Sequence, residues 1–575
     1  MVKLKIRFLL FSHIVAALLL FFCAGNAFAG GGGQSSRNTN NDRQTRNPDH
    51  ALSTGVAEEI RGLVETGLLS SLTQALQIIQ ERNLSGADFG RIMNGITSML
   101  VRYVYPDSLI RLPNMDLPQT YNYSRIIREA EAGNYTRPDA DSTDFFEYIL
   151  PFFAINKDSS PQILEIALND LKKAGELKSN SVLPPYFRGR IYEMQNNFLY
   201  AELEYKQAYD ISDEFYPALI GIGSVMAQSG RTTEAVAHFS DLTIRYPDSI
   251  AIKRQLALIL YENNNWERAL PVVDEVIQHD SRDGGFILMR AHILIQQGNF
   301  SLANSSLDIY APINSNNRLY LFLRARVQSE GFRNRDSALN YLRSLLRGNP
   351  DDTEALLYAA RLLLESQRPA DQSEGREYLA RLNQTDGSSI DVLSLSLKDA
   401  VSRESWQEAQ RHLNRILAVR RTPSDLTDGF YVERGLGNNA RALAFARELY
   451  ESDPSSNDYT SVYIAALIDN NRRDEAARLL EARLSSAGAG AVRSRFYFLR
   501  SRLQTNEEAA LSDLRSSLFE DPRNLEAHIA IFEIYHRRRE ERRAVQYLRQ
   551  ALAISPDNPR LRRYEAEYAS LLGNR

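Results

Sequence analysis

The chain is predicted to be an all-α solenoid, a row of stacked helix pairs, on three observations. A small residue recurs about every 34 residues through twelve units. Ala, Leu, Arg and Glu, all good helix formers, dominate from about residue 150 onward. The 20 prolines and 30 glycines in 575 residues are too few for a strand-and-turn protein or an unfolded one. A chain of this length also outgrows a single hydrophobic core, so it must form several domains or an array. Its 43% hydrophobic and 24% charged residues fall in the ordinary range for soluble protein.

The first 29 residues read as a secretory signal peptide and stand apart from the fold. Lys3, Lys5 and Arg7 make a positive start, and Phe8 to Phe22 is apolar apart from Ser12 and His13. Ala27-Phe28-Ala29 places small residues at −3 and −1 of a cleavage between Ala29 and Gly30. The apolar run is shorter than the roughly 20 residues a membrane-crossing helix needs. Two alternatives are an uncleaved anchor and a lipoprotein signal ending at Cys23, the second disfavoured by bulky Phe22 directly before the cysteine. Cleavage after Ala29 removes the only cysteine, and with it any disulfide, thiol nucleophile or Cys-based metal site. An exported, cysteine-free protein suits a bacterial periplasm, so the expected location is periplasmic or secreted. The mature chain keeps 65 basic against 72 acidic residues, formally −7, with no global attraction to nucleic acid or anionic lipid. Residues 30–50 contain no apolar side chain and are expected to form a disordered linker of on the order of 25 Å.

Residues 51–147 lack the repeat register and are expected to form an N-terminal helical region, a cap or divergent repeats. Helical periodicity marks 56–66, 69–82 and 87–104, with Pro106 as a stop. Tyr103, Tyr105, Tyr121, Tyr123, Phe145, Phe146 and Phe152 belong to an aromatic-rich stretch that fits a buried core better than a contact surface.

The repeat array is expected over residues 148–558. Its small residues are Ala167, Ala201, Ala235, Ala269, Ala303, Ala338, Gly375, Ala409, Ala442, Ala476, Ala510 and Ala544. Only three steps depart from 34: 35 before Ala338, 37 before Gly375 and 33 before Ala442. A large apolar residue follows four positions later on the same helical face, as in Tyr205, Phe239, Leu307 and Leu548. Twelve residues after the small residue, Pro247, Pro350, Pro454, Pro522 and Pro556 stop the helix. Twelve before it lie Gly189, Gly223, Ala257 and Ala291, and five before it lie turn glycines Gly230 and Gly298. Each unit is therefore two antiparallel helices whose axes approach closely at small residues, and neighbouring units bury each other's apolar faces.

These residues resemble the tetratricopeptide repeat family. The last unit carries Tyr535, Ala544, Leu548, Ala551 and Pro556, and an earlier one Gly189, Tyr192, Ala201, Tyr205 and Ala208. The resemblance implies a right-handed α-solenoid of about twelve helix pairs, with residues 559–575 as a C-terminal capping helix. It also implies that positions two, five, nine, twelve and thirteen of each first helix line a concave, partner-binding face. On the well-registered units these select Tyr186, Arg190, Glu193, Arg254, Tyr261, His292 and Gln296, residue types suited to interface hot spots. The Lys and Asn clamp of the family's chaperone-binding members is absent: the matching positions hold Tyr186 and Arg190, Ile220 and Ser224, Arg254 and Leu258, and Leu288 and His292.

Catalytic chemistry is not legible in the residues. Gly435-Leu-Gly437-Asn-Asn-Ala440 fits a dinucleotide fingerprint but falls in a turn between two helices, where that motif cannot work. The eight histidines show no metal-ligand spacing. Arg537, Arg538, Arg539, Arg542 and Arg543 form the densest charge cluster, read either as a solvated turn or as a basic contact for an acidic partner. The function expected is that of an exported, non-enzymatic scaffold or adaptor, with a membrane-tethered accessory subunit of an envelope complex as the alternative and an envelope-active enzyme as a distant third. The scaffold grips protein or peptide partners and uses no cofactor, metal, small-molecule substrate or nucleic acid. Membrane contact is expected only if the N-terminus stays anchored.

Overall fold

The computed structural model describes residues 54–114, 117–119, 122–486, 488–556 and 558–572. The expected signal peptide, the Ala29–Gly30 cleavage point and the linker 30–50 lie outside the described residues. All regular structure among the described residues is helical. The chain divides into two compact units, one ending at Ala338 and one beginning at Leu339.

In the first unit, helices Thr54–Thr66, Leu69–Glu81 and Asp88–Val104 fall within two residues of the stretches that periodicity marks. Asn122–Glu131 follows. The first helix of the earliest registered repeat is broken: Phe145–Ile149 runs into a 3-10 turn, Leu150–Ala154, with Pro151 inside it. Its second helix is Pro161–Leu177. Regular pairs then alternate: Leu183–Met194 with Phe198–Ile211, Tyr216–Gln228 with Thr232–Arg245, Ile250–Glu262 with Trp266–His279, and Gly284–Gln296 with Phe300–Asn314. Tyr105, Phe145, Phe146 and Phe152 are all buried in the core of this unit.

The second unit repeats the scheme from Thr353–Leu364 with Pro369–Thr385 to Leu525–Arg537 with Glu541–Ile554. The closing segment is two short helices, Pro559–Glu567 and Ala569–Leu572, which pack on Glu541–Ile554. Leu561 and Tyr568 are buried there.

The irregular spacings have local causes. The extra residue in the 35-residue step sits in the first helix, where Arg318–Arg326 continues as a π turn, Val327–Gly331. A π turn holds one more residue than an α turn, so the following helix still starts three residues before Ala338. The 37-residue step lengthens the second helix instead: Pro369 starts it six residues before Gly375 rather than three.

Every registered small residue from Ala167 to Ala476 is buried, as is Ala544. Ala510 is the exception; it is half-buried, and Leu511 and Leu514 fill the core of its helix. Close approach also involves the aromatic four residues on. The buried Tyr205 ring lies between two glycines, so close that a Cβ on Gly189 would sit 2.7 Å from it and one on Gly221 2.6 Å. Gly189 belongs to the same repeat as Tyr205 and Gly221 to the next, so this ring joins two repeats.

Five residues before the small residue, the backbone turns left-handed in nine repeats. Asn196, Gly230, Asn264, Gly298, Arg333, Glu404, Gly437, Asn471 and Arg539 all have positive φ. This residue ends the first helix in a conformation that only Gly, and to a lesser degree Asn, adopts cheaply. Gly437 is the second glycine of the apparent dinucleotide fingerprint, which is thus a helix-ending turn. Twenty residues before the small residue, Ser249, Asp283, Thr422, Ser456 and Asn524 cap the first helix by accepting a backbone N–H.

Two substitutions test these constraints. Glu404→Gly, at an exposed left-handed position, should raise local stability by about 1 kcal/mol. Gly221→Ala should lower it by about 1–3 kcal/mol by forcing the Tyr205 ring out of its slot. Denaturant midpoints and hydrogen exchange of the flanking helices read both, and an unchanged Gly221→Ala protein would refute the packing account.

Candidate partner-binding faces

The first-helix positions expected to face a partner are mostly tied to one another. Tyr186 is 5% exposed and Tyr261 3%, so their rings belong to the interior of the array. Arg190 is half-buried, with its guanidinium over the ring of Tyr103 at 5.8 Å. The Glu193 carboxylate accepts from the Tyr205 hydroxyl at 2.6 Å, Ser224 Oγ at 2.8 Å and Gln228 Nε2 at 2.5 Å. One carboxylate thus joins three helices. Arg254 pairs with Asp283 at 2.9 Å and lies over Phe286 at 5.6 Å, joining the first helices of consecutive repeats.

His292 is the centre of the next cluster. Tyr261 Oη bonds His292 Nδ1, and His292 Nε2 lies 2.8 Å from the exposed Gln296 amide. With the Gln296 amide N–H donating to Nε2, the neutral ring carries its proton on Nδ1 and donates it to the Tyr261 hydroxyl oxygen. The Trp266 ring packs edge-on against Tyr261 and His292, at 5.5 and 5.8 Å. Burial, with the Arg326 charge adding to it, lowers the His292 pKa to about 4. Arg326 itself grips Glu330 through two bonds of 2.8 and 3.0 Å. Of this cluster, Gln296 and Glu330 are exposed, and Arg326 and Trp266 are half-buried.

The N-terminal region covers the start of the array. Asp107 accepts from the Tyr216 hydroxyl at 3.0 Å, from Ser249 Oγ at 2.7 Å and from the Ala251 amide at 3.2 Å. It therefore reinforces the cap of helix Ile250–Glu262 from more than 140 residues away. Tyr105 packs edge-on against Phe215 and Tyr216, and its hydroxyl donates to the Gly67 carbonyl at 2.9 Å. Tyr103 already occupies the face of Arg190, so open first-helix positions begin farther along, near Arg254 and Gln296.

The arginine cluster near residue 540 is largely neutralised. Arg537 and Arg538 both reach Glu507, Arg538 also reaches Glu508, and Arg543 pairs with Glu540. Arg539 and Arg542 are exposed. Arg537 and Arg543 are exposed as well, so this turn presents four arginines to solvent. Asp107, Trp266 and Arg326 were not singled out as functional from the sequence. Trp266 lies three residues before Ala269, where other repeats carry Phe198, Phe300 and Trp406, while Asp107 and Arg326 meet their partners only in the fold. Among the described residues, no three or more His, Cys, Asp or Glu side chains gather in a metal-holding group.

Paired antiparallel helices repeating on a 34-residue clock, with buried small residues and a left-handed turn between them, define a helical-repeat protein. The model of the tetratricopeptide repeat matches residues 220–285 and 331–384. These two segments are tetratricopeptide repeats by sequence, and helix pairs of the same register flank them. Similar solved structures include YrrB, titled a TPR protein with an unusual peptide-binding site, at 18% identity, 32% of this chain, 95% of that one and TM-score 0.29. Pseudomonas aeruginosa PilF aligns at 20% identity, 38% of this chain, 97% of that one and TM-score 0.33. Yeast Tom70 aligns at 12% identity, 72% of this chain, 92% of that one and TM-score 0.33. Likeness at this level does not bear on partner or role. No curated protein matches the chain.

Half-buried His292 sets a pH signature. Its folded pKa of about 4 lies below the ordinary 6.5, so the unfolded state binds the proton more tightly. The stability that neutral His292 contributes is complete above pH 6.5 and is lost as pH falls toward 4, on the order of 2–3 kcal/mol in all. Hydrogen exchange of helices Ile250–Glu262 and Gly284–Gln296 should show this loss, and His292→Gln should flatten it. An equally steep profile in the variant would reject the assignment.

Proposed function

We propose that this protein is an exported scaffold that holds a protein or peptide partner along its first-helix face, in the assembly of a cell envelope. The observation that carries the reading is the Tyr261–His292–Gln296 cluster with Trp266 and Arg326 beside it. Buried Tyr261 and the bonded His292 ring hold the exposed Gln296 amide and the half-buried Trp266 ring in place, so these surface groups lose little entropy on binding. A tetratricopeptide repeat array is typically a binding scaffold and not a catalyst, which supports a non-enzymatic role. Export rests on the n-region, apolar run and Ala27-Phe28-Ala29 of the sequence.

A second reading is a membrane-tethered accessory subunit of an envelope complex, favoured by the apolar-free spacer of residues 30–50. Among the described residues, no helix is long and apolar enough to cross a membrane. Cell fractionation with N-terminal mass determination separates the two readings: a soluble chain beginning at Gly30 eliminates the tether.

Partner capture tests the scaffold itself. A photo-crosslinking side chain at Gln296 should trap a discrete protein partner in intact cells. His292→Glu, which disrupts the cluster, should reduce the yield about tenfold. No trapped protein under several growth conditions would defeat the scaffold reading.

A further inference from the structure

The second unit carries a cleft between the second helices of two consecutive repeats. Helices Arg335–Gly348 and Pro369–Thr385 are the second helices of consecutive repeats. Between them Asn340, Arg343, Leu346, Arg347, Tyr378 and Arg381 line an open groove of about 530 Å³.

Three guanidinium groups face this space against two carboxylates. Glu374 takes Arg343 in a two-point grip, at 2.9 and 2.6 Å, and accepts the Tyr378 hydroxyl at 2.9 Å. Arg343 and the Tyr378 ring are thereby fixed in place. Arg381 reaches the Pro350 carbonyl and Asp351, the latter at 3.3 Å with its side chain 80% exposed. A pair that exposed contributes little and yields readily to a competing anion. Arg347 and Asn340 are exposed and have no ion-pair or hydrogen-bond partner among the described residues. Leu346 is buried at the cleft and supplies an apolar floor.

We propose that this cleft binds a carboxylate-rich peptide segment, an acidic stretch of a partner protein, paired through Arg347 and Arg381 with Asn340 as an added donor. The space is far larger than one small anion. The Leu346 floor and the Tyr378 ring suit the methylene groups of Glu side chains, which a bare ion does not have. The chain's own formal charge of −4 gives an acidic ligand no general attraction, so recognition must come from this local arrangement. The site is independent of the first-helix face and uses none of its residues.

The test is direct binding of a fluorescent hexaglutamate peptide to the full chain, with inorganic phosphate as a competitor. Affinity should fall as salt rises, and Arg347→Glu should weaken it by about tenfold or more. Arg523→Glu, an exposed arginine on another repeat, should leave it within about twofold. Circular dichroism checks the fold. Should Arg347→Glu lose helicity, Asn340→Asp replaces it and must also weaken binding. The proposal is overturned if hexaglutamate fails to bind the unaltered chain or if Arg347→Glu and Arg523→Glu weaken binding alike. It is overturned equally if phosphate displaces the peptide at equal concentration, which would mark a simple ion site.

Discussion

Close approach between the two helices of each repeat is the constraint on which the rest depends. Side chains at the crossing must be small, or must leave a slot for a neighbouring ring. Gly189 and Gly221 show the second solution, with the Tyr205 ring filling the space that two Cβ atoms would otherwise occupy. Because the ring touches its own repeat and the next, this contact sets both the width of one repeat and its distance from its neighbour. Stability in such an array is a sum of local and nearest-neighbour terms, so repeats can vary wherever this contact is kept.

The departures from regularity follow from the same constraint. An added residue is absorbed in a π turn, and three added residues are absorbed as a longer helix start, so the small residue returns to its crossing each time. The left-handed residue that ends the first helix is held in place even where the side chain is Arg333, Glu404 or Arg539. Turning the chain back at that point matters more to the fold than the local conformational cost of about 1–2 kcal/mol. Glycine at Gly230, Gly298 and Gly437 removes that cost without changing the geometry.

Packing also decides which polar groups are available. Glu193, Arg254 and His292 spend hydrogen-bonding capacity on neighbouring repeats, which makes the first-helix face a rigid, pre-linked surface. The N-terminal region adds to this by placing Tyr103 on Arg190 and Asp107 on the cap of Ile250–Glu262. On the second-helix side, Arg343 is similarly held by Glu374, while Arg347 is left to solvent.

The sequence by itself determined the all-helical array, the 34-residue clock, the turn at Gly437 and the buried small residues. These are local or periodic properties: helix preference, a proline or glycine at a fixed offset, and an apolar face repeating with the helix. Ala510 shows the limit, since its offset is right but Leu511 and Leu514 carry the burial. Only the tertiary structure decided that Tyr186 and Tyr261 lie inside, that Asp107 caps a helix more than 140 residues away, and that Arg538 is neutralised by Glu507 and Glu508. The periodic N-caps at Ser249 and Asp283 were present in the sequence yet carry little signal, because Ser and Asp are common in any loop. Side-chain availability depends on which residues of neighbouring repeats come within hydrogen-bond distance, and no spacing along one chain segment encodes that distance.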